Sequence, residues 1–144
     1  MDEIVDSPKG WVAHHIRSYV ESGGHKGHRW SGYNTLLLIT RGRRSGKLRR
    51  TALIYGTDGE SYLVVASNGG SDKHPLWYLN LKRDPEVAIQ VKDEVFEAEA
   101  RVAKGEERAR LWRLMAEVFP TYVEYQRKTG REIPVVVIEP RRRG

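Results

Sequence analysis

The densest chemistry in this 144-residue sequence lies at positions 41–50, where RGRRSGKLRR carries Arg41, Arg43, Arg44, Lys47, Arg49 and Arg50. Guanidinium forks and ammonium groups at that density attract phosphate and carboxylate oxygens, and Gly42 and Gly46 let backbone N–H groups turn toward the same anion. The formal net charge is +6. Without the six loop cations and without Arg141, Arg142 and Arg143, 16 basic groups remain against 19 acidic ones. An acidic body thus carries one basic loop and a basic tail, a distribution that concentrates anions at the loop. A nucleotide P-loop does not fit, because the glycines are one residue too close and Leu48 stands where a magnesium-binding hydroxyl is required. A solvated hairpin tip is the plainer alternative.

A second constellation, at positions 66–75 (ASNGGSDKHP), leaves an expected strand and enters a short helix holding Leu76, Trp77, Tyr78, Leu79 and Asn80. Gly69 and Gly70 let backbone come close to a ligand, while Ser67, Asn68 and nearby amides can hydrogen-bond the polar edge of a planar heterocycle. The competing reading is a loop over core aromatics, and Trp77 suits core packing. Tyr122 and Tyr125 lie three residues apart, so a short helix puts both phenols on one side, where either can donate to charge developing on a substrate oxygen. His25 and His28 have an H-x-x-H spacing without further ligands, and with His14, His15 and His74 they read as surface histidines rather than a metal site. Ser45 and Ser67 lack the G-x-S-x-G elbow of a serine hydrolase. With no cysteine there is no thiol chemistry, thiolate metal site or disulfide.

These groups need elements to hold them. Trp11, Ile16, Tyr19 and Val20 predict a helix over 9–22, stopped by Gly23 and Gly24. The apolar runs 35–40 and 51–55 read as strands on either side of the basic loop, and 60–66 follows the Asp58-Gly59 turn signal as a third. Residues 86–91 and 94–102 alternate around Lys92-Asp93 as a hairpin with one wet face. Leu111, Leu114, Met115 and Val118 mark a helix over 105–118, with Glu106 and Arg110 paired on its polar side. Pro120 ends it, 121–128 forms another short helix, and 133–138 closes the set as a buried strand.

Several short strands with few helices favour an α+β fold, a small barrel or curled sheet of about six strands with flanking helices. One domain covers 1–144: helix and connector 1–33, barrel core 34–140, basic tail 141–144. No apolar run reaches the length of a membrane span, and the lack of cysteine is comfortable in a reducing cytoplasm. The first helix and the arginine tail would suit peripheral contact with anionic lipid at the inner face of the membrane.

Three ordered blocks, TRGRRSGKLRRTALIYG, VVASNGGSDKHPLWYLNLKRDPEV and GEERARLWRLMAEVFPTYVEYQRKTGREIPVVVIEP, resemble the deazaflavin-dependent nitroreductase family over residues 34–140. Its members are small split β-barrel oxidoreductases, FMN-binding-like in fold, that use coenzyme F420. Ala52 replaces a usual proline, a change in turn stiffness more than in ligand chemistry. By this resemblance Arg43, Arg44, Ser45, Gly46, Lys47 and Arg49 face the cofactor's phosphate and its oligoglutamate tail. Ala66, Ser67, Asn68, Gly69, Gly70, Lys73, Pro75, Trp77 and Asn80 are carried over as the deazaflavin cradle. Ser67, Tyr122 and Tyr125 line the substrate side as catalytic candidates. A tyrosine of the nitroimidazole-activating members is Phe119 here, which turns the expectation from nitro compounds toward activated alkenes such as enones and unsaturated lactones, with quinones also in the substrate range.

The implied reaction is hydride transfer from the reduced cofactor to a small electron-poor molecule, with the protein supplying alignment, water exclusion and a hydrogen-bond donor. A multiply charged tail accounts for six cations better than one flavin phosphate does, although each exposed pair adds only about 0–1 kcal/mol. FMN on the same kind of barrel stays open as the alternative cofactor, as does a cofactor carrier without turnover. A nucleic-acid module would set the basic hairpin on phosphates and stack tyrosines on bases, but the aromatics fall in expected core positions rather than among the arginines. Monomer and homodimer both stay open.

Overall fold

The computed structural model describes residues 4–6, 10–30 and 32–141. Helix α1 spans Gly10–Glu21 because Val12, Ile16 and Tyr19 recur every three or four residues and bury one side. Lys9 and the side chain of Trp11, both assigned to this helix from sequence, lie outside the described residues. Val20 turns outward and is 39% exposed, contrary to its expected place in the core. Gly23 and Gly24 end the helix at φ 61° and 86°, and the Gly24 N–H donates to the Tyr19 carbonyl at 2.9 Å. The buried Tyr19 hydroxyl donates to the Thr35 carbonyl at 3.0 Å and accepts the Lys92 N–H at 2.7 Å, while burial pushes its pKa up to about 12.

Among the described residues, nine strands form one mixed sheet: β1 (Ile4–Asp6), β2 (Arg29–Trp30), β3 (Tyr33–Arg41), β4 (Leu48–Ile54), β5 (Gly56–Asp58), β6 (Ser61–Val65), β7 (Glu86–Val91), β8 (Glu94–Val102) and β9 (Val135–Pro140). Their order is β1-β4-β3-β7-β8-β9-β6-β5, with β2 beside β3. Helices α2 (Leu76–Arg83), α3 (Gly105–Val118) and α4 (Thr121–Lys128) complete an α+β architecture. Nine strands replace the six or so expected, because β1, β2 and β5 are only two or three residues long, too short for alternation to be read. The β7–β8 hairpin, α3 and α4 fall where the apolar pattern puts them. β9 begins at Val135 rather than Ile133, since Pro134 has no N–H for a ladder.

The two-residue period of a strand sorts the apolar side chains into layers. Leu36 and Leu38 of β3, Val64 of β6, Val87 and Ile89 of β7, Ala98 and Ala100 of β8, and Val136 and Ile138 of β9 share one inner core with Tyr78 and Leu81 of α2. Leu37 faces the other way, onto Val12, Ile16 and Tyr19 of α1. Leu63, Val65, Val135 and Val137 also face outward, beneath Leu111 and Met115 of α3 and Tyr122 of α4. An inner core shared by five strands requires a strongly curled sheet, and β4 and β6, far apart in strand order, come into contact. Each fully buried Leu or Ile contributes about 1.5–3 kcal/mol, so the shared core holds the curl. The expected Glu106–Arg110 pair does not form. Arg110 instead reaches Asp58 of β5 at 3.0 Å and Glu107 takes Arg101, because α3 lies across the sheet and strand partners come closer than the next helical turn.

Candidate functional site

β3 and β4 pair from Thr35↔Ile54 to Arg41↔Leu48, so the basic loop is the tip of this hairpin. The turn is tight: the Gly42 N–H donates to the Lys47 carbonyl at 2.7 Å, and the Gly46 N–H to the Gly42 carbonyl at 2.9 Å. Gly46 has φ 71°, and a Cβ there would meet nothing within 4 Å, so its backbone is open to a ligand. Arg44, Ser45, Lys47 and Arg49 are exposed and Arg43 is half-buried. Among the described residues, the side chains of Arg43, Arg44, Lys47 and Arg49 have no carboxylate partner. Arg50 differs, because its guanidinium fork grips Asp6 of β1 at 2.6 and 3.1 Å and braces the sheet edge. The basic tail is also less free than its sequence suggests. Arg141 pairs with Glu86, which raises its pKa, and Arg142 and Arg143 lie outside the described residues.

Asn80 joins this loop to α2. Its Oδ1 accepts the Arg43 N–H at 3.1 Å in a half-buried setting, and its Nδ2 donates to the Thr40 hydroxyl at 3.2 Å in a buried one. Asn80 is therefore a bracket between elements, with its amide bonded to protein. Pro75 and Trp77, carried over with it as cradle residues, also brace the site. Pro75 is buried and its carbonyl accepts the Tyr78 and Leu79 N–H groups at the start of α2, while Trp77 packs on the inner core and stands edge-on to Tyr78.

The remaining cradle residues form a sharp turn. Ala66 is buried at the end of β6 with its N–H on the Pro134 carbonyl at 3.0 Å. Asn68, Gly69 and Gly70 follow with φ of 47°, 65° and 84°, three successive left-handed residues that reverse the chain. Gly69 faces open space, whereas a Cβ on Gly70 would lie 3.0 Å from the Tyr125 carbonyl oxygen. The cradle thus rests on the backbone of α4. Ser67 is half-buried and its hydroxyl has no partner among the described residues. Asn68 Nδ2 donates to the carbonyl of the exposed Lys73 at 3.0 Å.

α4 brings its tyrosines to this turn. The rings of Tyr122 and Tyr125 are 6.4 Å apart, Phe119 lies 4.9 Å from Tyr122, and Tyr33 lies 4.9 Å from Phe119, all in edge-on contacts. Together they make a continuous aromatic wall. Tyr122 is 5% exposed, and burial, assisted by Tyr125, pushes its hydroxyl well above the ordinary phenol range. It stays protonated at neutral pH. Beside Tyr33 opens a recess of about 390 Å³, lined also by Arg29, Asn34, Tyr55, Thr57, Leu114 and Val118.

Sequence reasoning missed Tyr33, Lys128 and Arg131. Lys128 Nζ stands 5.6 Å over the Tyr125 ring, and the Arg131 guanidinium donates to the Ser67 carbonyl at 2.9 Å. The cationic end of α4 was the one visible signal for Lys128. Three histidines are also not free surface groups. His28 Nε2 lies 2.8 Å from the Tyr55 hydroxyl, His15 Nε2 3.2 Å from that of Thr35, and His74 Nδ1 3.1 Å from Arg131. Long-range pairing holds these three side chains, and among the described residues there is no group of three metal-ligating side chains. No described helix is long and apolar enough to cross a membrane.

Four cations without carboxylate partners, an open peptide at Gly46, an uncommitted Ser67 hydroxyl and open space at Gly69 suit a large anionic cofactor with a polar ring. α2 links the halves of this site, starting at the cradle and bracketing the loop through Asn80.

A family model described as F420H(2)-dependent quinone reductase matches residues 11–140. An F420H(2)-dependent quinone reductase of Mycobacterium tuberculosis is 40% identical over 131 residues, 88% of either chain. Among solved structures, an F420-H2 dependent reductase (FDR-A) superimposes with a TM-score of 0.68 at 44% identity, over 73% of this chain and 93% of its own. Another, described as a domain-swapped dimer, gives 0.72 at 39% identity, over 92% of this chain and 100% of its own. The family match runs from α1 to β9 without leaving out any part of the loop, cradle or aromatic wall, and the chain belongs to the F420H(2)-dependent quinone reductase family.

Proposed function

We propose that this chain, one domain built as a split β-barrel, reduces quinones with reduced coenzyme F420. The observation that carries this reading is the hairpin tip, whose Arg43, Arg44, Lys47 and Arg49 have no carboxylate partner among the described residues and which Asn80 brackets to α2. Arg43, Arg44, Ser45, Gly46, Lys47 and Arg49 hold the phosphate and the acidic tail. Ser67, Asn68, Gly69 and Gly70 receive the polar edge of the ring, with Lys73 at the margin. When bound, the reduced deazaflavin supplies a hydride.

The protein's part is orientation, exclusion of water and handling of the proton. Tyr122 and Tyr125 line the substrate side, and Tyr122 donates a hydrogen bond from its hydroxyl to the quinone oxygen on which negative charge builds. Burial keeps that hydroxyl protonated. The recess beside Tyr33 suits a planar ring, and a proton from solvent completes the hydroquinone while Tyr122 keeps its own. The family description supports quinones as the first substrates to try, ahead of enones, lactones and nitro compounds. We place the enzyme in the cytoplasm as a homodimer, a state supported by the dimeric solved relative.

Mixing the pure protein with reduced F420 and a panel of quinones, enones, unsaturated lactones and nitroaromatics, while following cofactor oxidation, tests the reading. Quinones are expected to turn over fastest. Tight FMN binding without F420 binding, or F420 binding with no oxidation by any panel member, overturns it.

A further inference from the structure

Arg131 lies between α4 and β9, and its guanidinium makes four contacts with one short stretch of chain. Nη2 donates to the carbonyls of Ser67 at 2.9 Å and Ala66 at 3.2 Å, Nε donates to that of Ser71 at 2.8 Å, and Nη1 meets His74 Nδ1 at 3.1 Å. The residue is itself held in place. Its carbonyl accepts Gln126 Nε2 at 2.7 Å and its N–H donates to Thr129 Oγ1 at 3.3 Å, while that hydroxyl donates to Asp72 at 2.6 Å. Residues 66–74 are therefore drawn inward around one cation.

A trans peptide is planar, with its N–H directed opposite to its carbonyl. Drawing the carbonyls of Ala66 and Ser67 toward Arg131 thus turns the N–H groups of Ser67 and Asn68 the other way. Neither N–H has a partner among the described residues. Orphan donors of this kind are costly when dry and are satisfied by water or a ligand.

We propose that Arg131 is a positioning residue that shapes the cofactor cradle, presenting the N–H groups of Ser67 and Asn68 as a paired donor for the carbonyl edge of the cofactor ring. This rests on the proposed cofactor site. Arg131 acts through the peptide planes it fixes, without touching the cofactor. A lysine here keeps the charge but has one nitrogen, and it can hold one or two of the three carbonyls.

The test compares Arg131→Ala, Arg131→Lys and Ile138→Val, the last a core change that lowers stability at a position paired with Ala100 and with Tyr62, which is four residues along the chain from Ala66. F420 affinity is read by fluorescence titration, and KM for reduced F420 and kcat by steady-state kinetics. Arg131→Ala is expected to raise the cofactor's Kd and KM about tenfold, as for one or two lost hydrogen bonds, with a much smaller change in kcat. Arg131→Lys recovers part of the loss, and Ile138→Val leaves KM unchanged. If Arg131→Ala does not fold, Arg131→Lys decides: several-fold weaker binding supports the inference and unchanged binding overturns it. A rise in KM for Ile138→Val as large as for Arg131→Ala overturns it as well, since general loosening then suffices. Failure of the unaltered protein to bind F420 removes the cofactor reading together with this inference, whereas wild-type binding that Arg131 changes do not weaken removes this inference alone.

Discussion

Asn80 accepts the backbone N–H of Arg43 at 3.1 Å, and this bond fixes the basic hairpin tip to α2. Asn80→Leu, close in volume, orphans that N–H and the Thr40 hydroxyl, costing about 1–3 kcal/mol. F420 affinity is expected to fall with stability. Urea unfolding and cofactor titration check the two halves; full affinity in a destabilised protein would show that the hairpin sets its own tip.

Reversing charge at Arg44 and Arg49 removes two exposed cations and adds two anions. F420 affinity is expected to fall about tenfold or more at low salt, and the difference narrows as salt rises. Titrations at two ionic strengths measure this. A salt-independent loss would point to altered loop shape instead of charge.

Adjacent glycines of the cradle are expected to behave differently. Gly69→Ala meets no atom within 4 Å and carries only the cost of φ 65°, about 1–2 kcal/mol. Gly70→Ala adds a methyl group 3.0 Å from the Tyr125 carbonyl and 3.1 Å from the Tyr125 Cα, so it forces the turn off α4. Gly70→Ala therefore shows the larger loss of thermal stability and of kcat/KM. Equal effects would mean that the turn does not rest on α4.

Tyr122→Phe removes a hydroxyl that has no partner among the described residues, so thermal stability is expected to change little. kcat at saturating reduced F420 is expected to fall about 100-fold, the usual size for one lost donor to a developing oxyanion. An unchanged kcat would take Tyr122 out of the chemistry.

Burial lowers the pKa of His15, His28 and His74 below the ordinary 6.5, assisted at His28 by the charges of Lys92 and Arg29 and at His74 by Arg131 and Lys82. At His15, a hydrogen bond donated to the Gly27 backbone opposes the shift. A depressed histidine binds its proton more readily when the chain is unfolded. The stability from these groups is complete above about pH 6.5 and declines as pH falls through their folded values. Urea midpoints at about pH 5.5 are expected to lie below those at about 7.5, and His28→Gln narrows the gap. A flat profile would contradict this.

The parts legible in the sequence were those with local causes. Long apolar periods located α3, α4 and the β7–β8 hairpin, and charge density alone located the basic loop. β1 and β2 have no period to read; β1 exists through its parallel pairing with β4 and the Asp6–Arg50 bridge. The bracing contact of Asn80, and Arg131 altogether, escaped for the same reason, because the bonds concerned span 37 and 64 residues. Sequence placed Trp77 and Pro75 at the right turn, but it could not tell contact with a ligand from contact with the core.

One phenol on α1 has a further consequence for how much of this protein is needed. Because Tyr19 ties the Thr35 carbonyl to the Lys92 amide, and Leu37 lies under the same helix, the helix cannot be shed as an appendage. A chain begun at Asn34 would wet Leu37 and strand the tip of the β7–β8 hairpin, so the smallest piece able to refold starts upstream of Val12.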